Sequence, residues 1–92
     1  MKVGLYAILD SASCVYDGPH AAHNDAVALR NFENMALQDN NAIGKNPEHF
    51  SLWFVGSWDD AKGEMEPEVH VCLAKAIDIL NASKVEANNG VN

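Results

Sequence analysis

Two stretches decide the reading of this chain: NDAVALRNF, Asn24 to Phe32, and NPEHFSLWFVGSWDDAKGEMEP, Asn46 to Pro67. The first opens with Asn24, whose side-chain oxygen can accept from an unpaired N–H of a first helical turn. Asp25 follows, an acid at the positive end of the helix dipole. At 100° per residue, Ala28, Leu29, Phe32, Met35 and Ala36 fall on one face, with Val27, Arg30, Asn31 and Asn34 opposite. The spacing predicts an amphipathic helix that ends near Gln38, because Asp39-Asn40-Asn41 and Gly44 favour turns. In the second stretch, Ser51 to Trp58 alternates as a strand, with Leu52, Phe54 and Trp58 on one face and Trp53 and Val55 on the other. Gly56 interrupts it and points to a bulge or a close backbone approach. Asp59 to Gly63 reads as a five-residue hairpin loop, with Gly63 free to take a left-handed conformation. Glu64 to Glu66 returns as a short strand, and Pro67 stops it.

Outward from this centre, Lys2 to Asp10 reads as a strand with Val3, Leu5, Ala7 and Leu9 on one face and Gly4, Tyr6 and Ile8 on the other. Both faces are largely apolar, which suits a central strand. Asp10 to Ser13 is a turn, Cys14 to Tyr16 a short strand paired with the first, and Asp17-Gly18-Pro19 a break. Val69, Val71 and Leu73 alternate as a last strand, and AKAIDIL reads as a short helix. The expected architecture is one α+β domain over residues 1–82: a small antiparallel sheet of four to five strands with one main helix packed on a face. Residues 83–92, ending in NNGVN, read as a disordered tail.

The 92 residues make one small domain. A chain of this size buries only roughly 60–65% of its unfolded surface, so its core is thin and pairing with a second copy would help it. A homodimer is expected. No run of about 18 apolar residues marks a membrane span. MKVGLYAILD is too short an apolar run for a secretory signal, and an intracellular setting is expected. Cys14 and Cys72 make no disulfide framework.

Thirteen acids against six bases give a net charge of −7, which weighs against purely electrostatic nucleic-acid binding. The bases are scattered along the chain. Cys14, His20 and His23, with His49 or His70, lack the short paired spacing of structural zinc sites, and a solvated loop carrying two imidazoles accounts for GPHAAH. No phosphate-cradling loop, nucleophile elbow or dinucleotide motif occurs, so no enzyme, metal or cofactor is expected. Three candidate features remain. Tyr6 and Trp53 could stack an unpaired base, although packing is the commoner use of sheet aromatics. Arg30, Lys2 and Lys45 could contact phosphate, Arg30 through its rigid fork of donors. Asp59, Asp60, Glu64 and Glu66 offer an acidic surface to a basic partner.

The order and spacing of these motifs resemble the small nonstructural proteins of gokushoviruses, bacteriophages of the microvirus family with single-stranded DNA genomes. Asn24, Asp25, Ala28, Arg30 and Phe32 match that family's helix. Pro47, Glu48, Phe50, Leu52, Gly56, Trp58, Asp59, Asp60 and Gly63 match its strand and hairpin. The resemblance runs from MKVGLYAILD to about Pro67. It implies a nonstructural protein of the host bacterial cytoplasm, acting in viral single-stranded DNA synthesis by binding single-stranded DNA or phage or host replication proteins. The charge leaves an alternative open: a DNA-independent acidic module that modulates a host or assembly protein.

Overall fold

A computed structural model describes residues 1–89, with side-chain surroundings through Val85. Five strands and three helices follow one another: β1 (Lys2–Asp10), β2 (Val15–Tyr16), β3 (His20–Ala22), α1 (Asp25–Ala36), α2 (Ala42–Lys45), a 3-10 turn (Pro47–His49), β4 (Phe50–Asp59), β5 (Glu64–Lys75) and α3 (Ala76–Asn89). All pairings are antiparallel, in the order β2-β1-β4-β5, with β3 also on β1. The α+β class is as the sequence predicts. The second long helix, α3, is not foreseen at its full length: it runs through residues 83–89, where a disordered tail is expected, and Gly90 to Asn92 lie outside the described residues.

β1 is central because both of its faces are apolar. One edge pairs with β4 along its length. The other edge is shared: Leu9 and Asp10 face β2, and Gly4 to Tyr6 face β3. Between these, Asp17 serves Ile8 twice, its carboxylate accepting from the Ile8 N–H (2.6 Å) and its own N–H donating to the Ile8 carbonyl (2.9 Å). The Asp17-Gly18-Pro19 break therefore leaves no orphaned backbone group on Ile8. Cys14, with φ 61°, closes the preceding turn.

Register decides which residues face the helices. Leu5 pairs with Gly56 and Tyr6 with Phe54, so Val55 is an extra residue in β4. A one-residue bulge reverses every side chain beyond it. Trp58 consequently sits opposite Val3, on the same face as Trp53, and not with Leu52 and Phe54 as strict alternation predicts. Gly56 is needed for close approach: a Cβ there would lie 2.4 Å from the Glu66 carbonyl oxygen. Its pairing with Pro67 also corrects the reading of Pro67 as a stop. β5 is an edge strand, where a missing N–H is tolerated, so the two short strands expected on either side of Pro67 are one.

The face of the sheet bearing Tyr6, Ile8, Leu52 and Phe54 is covered. Phe32 of α1 is 0% exposed, Tyr6 and Leu52 1%, and Ala28, Ala36, Ile43 and Ala76 complete the buried cluster, with Leu29 and Met35 packed against it. All five apolar positions of the predicted helix face are used. Asn24 caps α1, accepting from the Val27 N–H at 3.0 Å. α1 ends at Ala36, slightly before the predicted end, because Asn41 holds the turn: its Nδ2 donates to the Met35 carbonyl (3.0 Å) and its Oδ1 accepts from Gly44, capping α2.

Candidate functional site

The predicted nucleic-acid residues do not converge. Tyr6 is corrected from a stacking surface to a core residue. Its ring meets Phe54 edge-on at 5.8 Å and its hydroxyl donates to the Asp25 carboxylate at 2.6 Å, tying the sheet to the start of α1. Gly4 leaves room for that ring. Burial, and then the hydrogen bond to Asp25, push the Tyr6 phenol well above its ordinary range. Arg30 is exposed on α1 and Lys45 is exposed at the end of α2. Lys2 is engaged with Glu66 at 2.9 Å, and that carboxylate raises the Lys2 ammonium.

Three of the four residues of the predicted acidic surface, Asp59, Asp60 and Glu66, are spent on the fold itself. The α-amino group of Met1 lies 2.8 Å from Asp60. That hydrogen bond lowers the Asp60 carboxyl and raises the amine. Asp59 is nearly buried and closes the hairpin, accepting from the Ala61 N–H (3.0 Å) and the Lys62 N–H (3.3 Å). Gly63 takes the left-handed conformation, φ 65°. Glu64 and Glu68 remain exposed and outside any ion pair among the described residues. Among those residues no three His, Cys, Asp or Glu side chains form a group that could hold a metal ion, and both cysteines are exposed and free.

The face of the sheet away from the helices is where side chains gather. Cross-strand partners share a face, so Val3 with Trp58, Leu5 with Gly56, Ala7 with Trp53 and Leu9 with Tyr16 all lie there. The sheet curls over them. Tyr16 on β2 and His70 on β5 come from opposite ends of the strand order, yet their rings sit 5.7 Å apart. Flat neighbours at about 4.8 Å spacing would set those strands about 14 Å apart. Tyr16 also meets Trp53 edge-on at 6.2 Å. The indole N–H of Trp53 donates to Ser51 Oγ at 2.8 Å, fixing the ring across the concave surface. Beneath these rings Ala7 is 3% exposed although no helix covers it.

Two clefts open here. One of about 270 Å³ places Trp53 beside Lys75, with Ser11, His49, Phe50 and Ser51 on its walls and Glu48 at its rim. The other, about 280 Å³, is almost wholly apolar, floored by Leu5 and Val55 and walled by Pro19, Met65 and Pro67. Trp53 is the one sequence-predicted stacking residue that the structure places at an open surface. Tyr16, His70 and Lys75 were missed in that role. Their signal is tertiary: each is unremarkable within its own strand, while the β4–β5 ladder sets Lys75 opposite Ser51, two residues from Trp53, and the curl brings Tyr16 to Trp53 and His70.

A family model described as Phage ORF5 protein matches residues 3–79. The chain belongs to that family. The match spans all five strands, α1, α2 and the first turn of α3, so the concave face and the helix-covered face both lie within it. This is a phage protein, as the resemblance implies in its broad form. No curated protein and no solved structure matches the chain. No helix of the described residues is long and apolar enough to cross a membrane.

Proposed function

We propose that this phage protein is a nonstructural accessory factor in viral single-stranded DNA synthesis, a binding protein rather than an enzyme, working in the cytoplasm of the infected bacterium. Its ligand is single-stranded DNA, alone or within the replication complex. The carrying observation is the concave aromatic surface, Trp53 with Tyr16 and His70 beside Lys75. Unpaired bases stack on aromatic rings whatever their sequence, at about 1–3 kcal/mol per base. The resemblance to gokushovirus nonstructural proteins supports the same reading. With a net charge of −7, affinity here rests on stacking, with few phosphate contacts.

The test is fluorescence anisotropy of a labelled oligonucleotide titrated over a salt series. Saturable binding is expected, with a shallow salt slope, because each neutralised phosphate of a single strand contributes only about −0.7 to it. Trp53→Ala should weaken binding at least about fivefold, whereas Arg30→Ala, far from the concave face, should change it little. No binding at micromolar protein in low salt would overturn the DNA reading. The alternative acidic module is less favoured, because Asp59, Asp60 and Glu66 already have partners within the chain.

A further inference from the structure

β5 is the longest strand and a free edge of the sheet, with every residue from Glu64 to Cys72 exposed. Its two halves are unlike. Glu64 to Glu68 carries three carboxylates and Pro67, the devices by which natural edge strands resist pairing. Val69-His70-Val71-Cys72 carries neither charge nor proline. Val69 is 86% exposed and Val71 49%. The charge- and proline-free part of the edge is therefore the segment around Val71, where β5 pairs irregularly with β4.

We infer that a second copy of this chain docks there, antiparallel, so that the two β5 strands join two sheets about a twofold axis near Val71. Three observations select a second copy over another partner. First, the edge is self-complementary in charge: its acids lie at the N-terminal end and Lys75 at the C-terminal end. Antiparallel pairing centred on Val71 brings the Lys75 end of each copy alongside the acidic run of the other. It also carries the two acidic runs away from each other, where parallel pairing would superpose them at a cost. Second, such an arrangement is isologous and closes, leaving no further edge of this kind. Third, the single chain is drawn out. It measures 53 × 30 × 23 Å with a radius of gyration of 14.7 Å, against about 12 Å for a compact chain of this length. Sheet continuation covers part of that surplus surface and supplies partners for the outward N–H and C=O groups of β5.

Sedimentation equilibrium over a protein concentration series reads this directly. The wild-type chain is expected to dimerise. Val69→Lys and Val71→Lys, each at an exposed position, should raise the dimer dissociation constant at least about tenfold, which is about 1.4 kcal/mol, while circular dichroism stays unchanged. A wild-type chain that stays monomeric at the highest concentration reached overturns the proposal, and so does a dimer indifferent to both lysine substitutions. The inference stands apart from the DNA reading: loss of oligonucleotide binding with an intact dimer would fail only that reading.

Discussion

The two faces of the one sheet are built from the same kinds of residue and do different work. On the covered face, Tyr6 and Leu52 are sealed by α3 and by α1, whose Phe32 is fully buried, and the buried polar side chains have partners. On the concave face, Trp53, Tyr16 and His70 gather over Ala7, with no helix over them. The covered face holds the fold together. The concave face uses large rings to lid small floor residues, which leaves aromatic surface and two clefts in contact with solvent. A sheet face that folds without a helix over it is free to be covered by something else.

The largest test of that division is a pair of truncations. Phe32→Ala removes a fully buried ring from the covered face and should cost about 3–5 kcal/mol. Trp53→Ala removes a larger but partly exposed ring and should cost distinctly less. Urea denaturation midpoints check both. Equal losses would break the comparison, making the concave face as much a core as the covered one.

Tyr6→Phe sharpens the comparison at the join between sheet and α1. It removes the 2.6 Å bond to Asp25 and should cost about 1 kcal/mol, the low end for a bond to a charged group because Asp25 stays solvated. Its pH signature is more telling. The folded phenol is held above its ordinary value of 10.0, so the folded state keeps the proton more tightly. That contribution is fully present below about pH 10 and is lost as pH rises further. Wild-type stability should therefore fall in strong alkali more steeply than that of Tyr6→Phe. Parallel alkaline profiles would mean the phenol is not protected by the fold.

How much of this was legible in the sequence follows from what each signal encodes. The α1 face was readable because Ala28, Leu29, Phe32, Met35 and Ala36 follow one helical period and Asn24 marks its start. β1 was readable from its double apolar alternation, and the hairpin from Asp59 and Gly63. Trp58 was placed on the wrong face because the bulge at Val55 adds one residue, and periodicity has no term for that. Gly56 warned of the bulge without saying which residue was extra. β3 and α2 were missed because they are too short for a period, and both depend on partners: β3 on the edge of β1, α2 on its Asn41 cap. The reach of α3 past Ser83 was hidden by polar residues that fit a helix as well as a tail. Of the candidate site, Trp53 was legible as a sheet aromatic. Its neighbours were not, because they come from other strands: Lys75 through the β4–β5 register, and Tyr16 with His70 through curvature.

The smallest effect distinguishes two adjacent acids at the end of the hairpin, beyond the helices. Read as sequence, Asp59 and Asp60 are equivalent members of an acidic surface. In the structure Asp59 is 9% exposed and accepts two backbone N–H groups of the turn, while the Asp60 carboxylate is exposed and pairs with the Met1 amine. Asp59→Ala should therefore cost about 1 kcal/mol, the usual net worth of a hydrogen bond whose donors can partly turn to water. Asp60→Ala should leave the denaturation midpoint unchanged, since exposed ion pairs contribute little and are screened by salt. A loss of stability in Asp60→Ala that disappears at high salt would show the Met1 contact holding the hairpin against β1. A loss that persists in salt would mean that the Asp60 side chain supports the turn itself, as Asp59 does.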